Sequence, residues 1–95
     1  MILQYVKLRS RLSEEEILRI AEERAPEFRA IEGLVQKYYV KRAGPGEFGG
    51  VYVWDSRESL MKFRDSALAS SIAEAYQVAE PPEIEIAEVL FPLRD

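Results

Sequence analysis

Residues 33–60, GLVQKYYVKRAGPGEFGGVYVWDSRESL, decide how this chain folds. Leu34 to Val40 and Val51 to Trp54 are runs of β-branched and aromatic residues, the side chains that pack well on a pleated surface. The Gly44-Pro45-Gly46 cluster between them supplies the backbone freedom of a short loop, so the stretch predicts a β-hairpin. Asp55 or Ser56 then offers a side-chain oxygen to the free N–H groups of a following helix. Gly33 frees the backbone at the lead-in to the first of the two strands.

Upstream, Ile2 to Leu8 alternates Ile2, Gln4, Val6 and Leu8 with Leu3, Tyr5 and Lys7. Apolar groups on both faces predict an interior strand. Ser13-Glu14-Glu15-Glu16 is a capping box, with acidic groups at the helix's positive end. Ile17, Ile20, Ala21 and Ala25 recur at helical spacing. Pro26 is predicted to interrupt this helix, leaving Glu27 to Ile31 as a second short turn that returns Phe28 and Ile31 to the core. Downstream, Leu60, Phe63 and Ala67 form a second apolar stripe, with a break at Ser66 before Leu68 to Tyr76. Pro81-Pro82 ends the helical region, and Ile84 to Phe91 alternates as a last strand.

The element order is therefore β-α-β-β-α-β, an α+β, ferredoxin-like arrangement: one antiparallel sheet with its helices on a single face. Helices on one face leave the other uncovered, and the sequence places Tyr5, Val35, Tyr39, Val89 and Phe91 there. Exposing such a patch forfeits several kcal/mol at ~25 cal/mol per Å². A second copy packing sheet on sheet about a two-fold axis would cover it, predicting a homodimer closed as an α+β barrel.

Composition narrows the chemistry. Ninety-five residues, 47% hydrophobic and 32% charged, suit one domain spanning 1–95. The chain has no Cys and no His, which removes thiolate nucleophiles and the nitrogen and sulfur ligands of zinc, copper or haem sites. Its Glu residues lie on helices and the final strand rather than in a calcium-type loop, so no metal is expected. A net charge of −4 argues against nucleic acid, with Lys37, Lys41 and Arg42 read as a solvated edge. No segment has the length and hydrophobicity of a signal peptide or membrane span, so no membrane partner and a cytoplasmic location are expected.

The Gly33-Leu34 lead-in, Lys37 and Tyr39 on strand two, Gly49-Gly50-x-Tyr52 on strand three and Trp54-Asp55-Ser56 at the helix start resemble the dimeric α+β-barrel proteins. Within them, the chain is most similar to antibiotic-biosynthesis-monooxygenase-like proteins, in their branch of short monooxygenase-like members. The resemblance runs through nearly the whole chain in its order of elements. It implies an oxidoreductase needing no cofactor, a cofactor-independent monooxygenase in which a deprotonated phenol or hydroquinone itself reduces dioxygen. The absence of His separates the chain from haem-degrading relatives. The absence of Asn, and a sole Trp at a strand end, separate it from the aromatic-polyketide oxygenases.

Under this reading Lys37, Tyr39 and Tyr52 are the catalytic candidates. An ammonium on a strand covered on both sides lies in a pocket or snorkels to its rim; in a pocket it would hold a phenolate or superoxide-like anion. Tyr39 and Tyr52 are placed opposite one another across the hairpin, with Tyr38 the alternative to Tyr39 because loop parity is open. Tyr5, Gln36, Trp54, Phe63 and Tyr76 are the candidates for binding a small hydrophobic or aromatic molecule. Gln4 and Gln36, on inward positions, would need hydrogen-bond partners. Two other functions fit the same residues: a non-catalytic carrier of a small hydrophobic ligand, and a proton-transfer enzyme such as a lactone isomerase.

Overall fold

A computed structural model describes residues 1–94. Its elements are β1 (Ile2–Arg9), α1 (Glu14–Arg29), β2 (Leu34–Lys41), β3 (Glu47–Trp54), α2 (Arg57–Arg64), α3 (Ala67–Ala75) and β4 (Glu83–Glu88). The strands form one sheet in the order β2-β3-β1-β4, every neighbouring pair antiparallel. This is the ferredoxin-like arrangement, with β1 interior as its two-faced pattern requires.

Local chemistry starts each helix. Ser13 Oγ accepts from Glu16 N at 3.2 Å, and Glu16 Oε1 accepts from Ser13 N at 3.2 Å, so two free donors are satisfied reciprocally. Ser56, rather than Asp55, caps α2 by accepting from Ser59 N, while Asp55 accepts from Ser59 Oγ. Ser66 separates α2 from α3 and caps the latter. Gly33 takes φ +90°, a conformation in which a Cβ would also overlap Ser59.

Two boundaries differ from the sequence expectation. α1 does not stop at Pro26 but runs through it to Arg29. Proline forfeits one backbone hydrogen bond there, and the extra turn carries Phe28 into the core, where it is 3% exposed. β4 ends at Glu88, short of Phe91. Its antiparallel partner β1 begins opposite Glu88 at Ile2, and after Val89 N donates to Met1 O at 2.9 Å no ladder remains.

The core lies between the helices and one sheet face. Ile2, Val6, Leu8, Tyr52 and Trp54 from the sheet meet Phe28, Leu60 and Phe63 from the helices. Trp54 is fully buried, its ring stacked on Tyr52 at 5.9 Å with 4° between planes and 5.3 Å from Phe63. Its indole N–H donates to Gln4 Oε1 at 2.9 Å, so Gln4 finds its partner inside the protein.

Register places Leu3, Tyr5, Val51, Val53, Tyr38 and Val40 on the face away from the helices. Val35 and Tyr38 are each 55% exposed. Tyr39, expected on that face, is on the helix side, opposite Gly50.

Candidate functional site

A bulge in β2 builds the site. Leu34 pairs with Trp54, but the next register partner of Val53 is Gln36, so one extra residue is accommodated and the side-chain alternation shifts. Beyond it Lys37, Tyr39 and Lys41 turn toward the helices, and Gln36, Tyr38 and Val40 turn away. Without the extra residue the facing would be reversed.

Lys37 pairs with Tyr52, and Tyr39 with the bare Gly50. A Cβ on Gly50 would stand 3.3 Å from Lys37 Cε and 3.1 Å from Tyr52 Cε1, so the glycine leaves room for the lysine stem. The ammonium lies 3.5 Å from the ring centroid of Phe28, 4.3 Å from that of Tyr39 and 4.6 Å from that of Tyr52. Three aromatic faces therefore cage it. Among the described residues no carboxylate pairs with Lys37, although Lys7 and Lys41 have such partners in Glu85 and Glu14.

The caged amine borders a cavity of about 110 Å³ between sheet and helices, with walls from Val6, Leu8, Ile17, Phe48, Tyr52 and Tyr76. Leu18 and Tyr39 flank it and are themselves solvent-exposed, 51% and 43%. The Glu14–Lys41 ion pair, at 2.9 Å, lies on the same wall. Tyr76 is only 5% exposed, yet its hydroxyl has no hydrogen-bond partner. Leaving a buried hydroxyl unpaired costs about 1–3 kcal/mol, so this atom is a ready contact for a polar ligand group.

Electrostatics sharpen the picture. Burial, assisted by the Arg24 guanidinium, pushes the Lys37 amine down to about 7. Burial raises the Tyr76 phenol to about 12 and lifts Tyr52 and Tyr39 as well. Near neutral pH the site thus combines an amine able to take or give a proton with phenols that remain protonated donors.

Of the sequence candidates, Lys37, Tyr39, Tyr52 and Tyr76 come together around this cavity. Tyr39 lies on the cavity side and Tyr38 does not; Lys37, not Tyr39, is directly opposite Tyr52. Trp54 and Phe63 stand behind Tyr52 in the core. Tyr5 is on the opposite sheet face; Gln36 also points to that side, its Oε1 accepting from Lys37 N at 3.0 Å, yet it borders a second hollow beside Lys37.

Arg24 was not singled out by the sequence reading. Its Nη2 donates to Ser71 Oγ at 2.6 Å while its Nε is buried without a partner. The signal was present: Arg24 falls on the α1 stripe that includes Ile17, Ile20, Ala21 and Phe28, where an apolar residue is expected. A second hollow of about 320 Å³, lined by Ala25, Phe28, Arg29, Leu34, Lys37 and Tyr39, adjoins the same amine. Among the described residues no three His, Cys, Asp or Glu side chains converge as a metal site, and no helix is long and apolar enough to cross a membrane.

Solved structures share this fold. An unknown-function protein of Nitrosomonas europaea, NE2512, superposes with TM-score 0.77 at 21% identity, over 96% of this chain and 90% of its own. SnoaB, a cofactor-independent oxygenase from Streptomyces nogalater, superposes with TM-score 0.76 at 12% identity, over 99% of this chain and 97% of its own. An antibiotic biosynthesis monooxygenase matches with TM-score 0.72 at 14% identity, over 95% of this chain and 99% of its own.

The chain has the ferredoxin-like α+β fold that these solved proteins share.

These matches are end to end, so the likeness to antibiotic-biosynthesis-monooxygenase-like proteins covers the whole architecture rather than a shared fragment. No protein-family model and no curated protein matches the sequence.

Proposed function

We propose that the protein is a cofactor-independent monooxygenase acting on a small phenolic or quinol-type aromatic, as a homodimer. The observation that carries this reading is the Lys37 amine, uncompensated by any described carboxylate, on the wall of a cavity that also holds the unpartnered Tyr76 hydroxyl.

With a proton affinity near neutrality, Lys37 accepts the acidic proton of the bound aromatic and then faces the resulting anion as an ammonium. Tyr76 donates to a substrate oxygen, and the apolar walls keep water from the electron-rich carbanion or phenolate. For an anthrone-type substrate the balance is one ring methylene and one dioxygen giving one carbonyl and one water. The substrate supplies all four electrons.

The exposed sheet face supports the dimer. Leu3, Tyr5, Tyr38, Val51 and Val53 present a continuous apolar surface, and Leu90, Phe91 and Leu93 beyond β4 are also exposed. A stable interface removes roughly 1,200–2,000 Å² from water, and an apolar sheet face of this kind is the surface a second copy would cover.

The test is dioxygen uptake with a panel of naphthoquinols and anthrones, comparing the native protein with Lys37→Met. Uptake well above buffer, lost in the variant, supports oxygenation; a buffer-level rate despite bound ligand rejects it. A near-neutral amine also suits proton transfer without oxygen, as in a lactone isomerase. Substrate deuterium exchange with no dioxygen uptake would favour that second reading.

A further inference from the structure

The same geometry gives Lys37 a chemistry that oxygenation does not use. An amine becomes a nucleophile when it loses its proton, and three features favour that here. Its neighbours are ring faces rather than carboxylates, it borders a cavity, and the positive charge of Arg24 acts against its own. The other lysines differ: Lys7 and Lys41 are ion-paired, and Lys62 is solvent-exposed on α2.

We propose that Lys37 is an imine-forming residue, whose Nζ captures aromatic aldehydes admitted to the cavity as a reversible Schiff base. Its neutral pair attacks the carbonyl carbon, the carbon–oxygen π pair moves to oxygen, and the nitrogen's surplus proton passes to that oxygen. Loss of the hydroxyl as water, assisted by a protonated tyrosine at the cavity, closes the C=N bond. The sum is one amine and one aldehyde giving one imine and one water, with no change in oxidation state.

The charged and titratable groups around the amine agree with this assignment. Arg24 from α1 opposes the ammonium, and Arg29 of α1 lines the adjoining hollow. Tyr39 on the same strand, Tyr52 on β3 and Tyr76 at the end of α3 stay protonated, and Glu14 of α1 is engaged by Lys41. The depressed affinity of Lys37 for protons leaves about half of it neutral at pH 7, against roughly one part in three thousand of an ordinary lysine.

The inference rests on the reading that the cavity admits a small aromatic, but not on oxygen chemistry, so the test is run in oxygen-free buffer. The full chain is incubated with 4-hydroxybenzaldehyde and cyanoborohydride across pH 6 to 10, and adducts are mapped by mass spectrometry. Lys62 is the internal control. At pH 7 Lys37 is expected to carry at least about tenfold more adduct, levelling off above pH 8 while Lys62 keeps rising. Lys37→Arg should abolish the excess. Without reductant, quenching of Trp54 fluorescence by the same aldehyde reports entry into the cavity. Quenching with no excess labelling of Lys37 overturns the imine alone. Neither quenching nor excess labelling overturns the imine and the ligand site together.

Discussion

Lys37→Met isolates the quantity on which the site depends, the cost of holding an ammonium away from water. Methionine keeps the length and apolar stem, and its thioether packs on the same rings. In the folded protein the Lys37 amine titrates near 7, against the ordinary value of 10.5. That fall caps the linked free energy at about 5 kcal/mol, at about 1.4 kcal/mol per tenfold change in proton affinity. Partial exposure and the attraction of three ring faces reduce it, so about 1–3 kcal/mol is expected.

The sign follows from which state binds the proton. Below about pH 7 both states are charged, and the folded state bears the full penalty. Between about 7 and 10.5 the unfolded chain holds a proton that the folded one has released, so native stability climbs with pH relative to the variant. Urea unfolding of both proteins from pH 6 to 10 should therefore find Lys37→Met more stable by that amount at pH 6, the gap closing toward pH 10. Subtracting the two curves cancels the exposed lysines and the carboxylates. A difference that is flat with pH, or a variant less stable at pH 6, would falsify the desolvated amine and with it the basis for base catalysis and imine formation.

Gln4→Leu should destabilise by about 1–3 kcal/mol, because it strands the fully buried Trp54 indole N–H. A Gln4→Leu/Trp54→Phe pair losing as much as the sum of the single changes, measured by urea unfolding, would show the bond to be idle. Tyr76→Phe removes a buried hydroxyl with no protein partner, so stability should hold or rise by up to about 1 kcal/mol, while ligand affinity by Trp54 quenching falls about fivefold or more. A marked loss of thermal stability would mean that the hydroxyl is bonded within the fold. Tyr38→Glu puts a charge on the exposed sheet face and should shift sedimentation at low micromolar concentration from dimer to monomer. A native protein that already sediments as a monomer would refute the sheet-on-sheet pairing.

The architecture was legible because its signals are local. The glycine–proline loop between two β-rich runs, the Ser13–Glu16 capping box, and serines at 56 and 66 each act within a few residues, and each element they predict is present. Competition with distant partners was not legible. Pro26 disfavours the helix locally, but the core gains Phe28 when the helix continues; the apolar pattern of β4 runs on to Phe91, but its partner strand ends first.

The site lies on that second kind of information. The resemblance to a known family, together with strand alternation, singled out Lys37 and the tyrosines as residues able to hold an aromatic anion. Which of them face the cavity turned on one extra residue in β2, since a sheet alternates every residue and a single bulge reverses all that follows it. The same shift sent Gln36 outward. It set Lys37 among rings contributed by a helix and two strands, and only there does an ordinary lysine lose its water and become an acid–base group near neutrality.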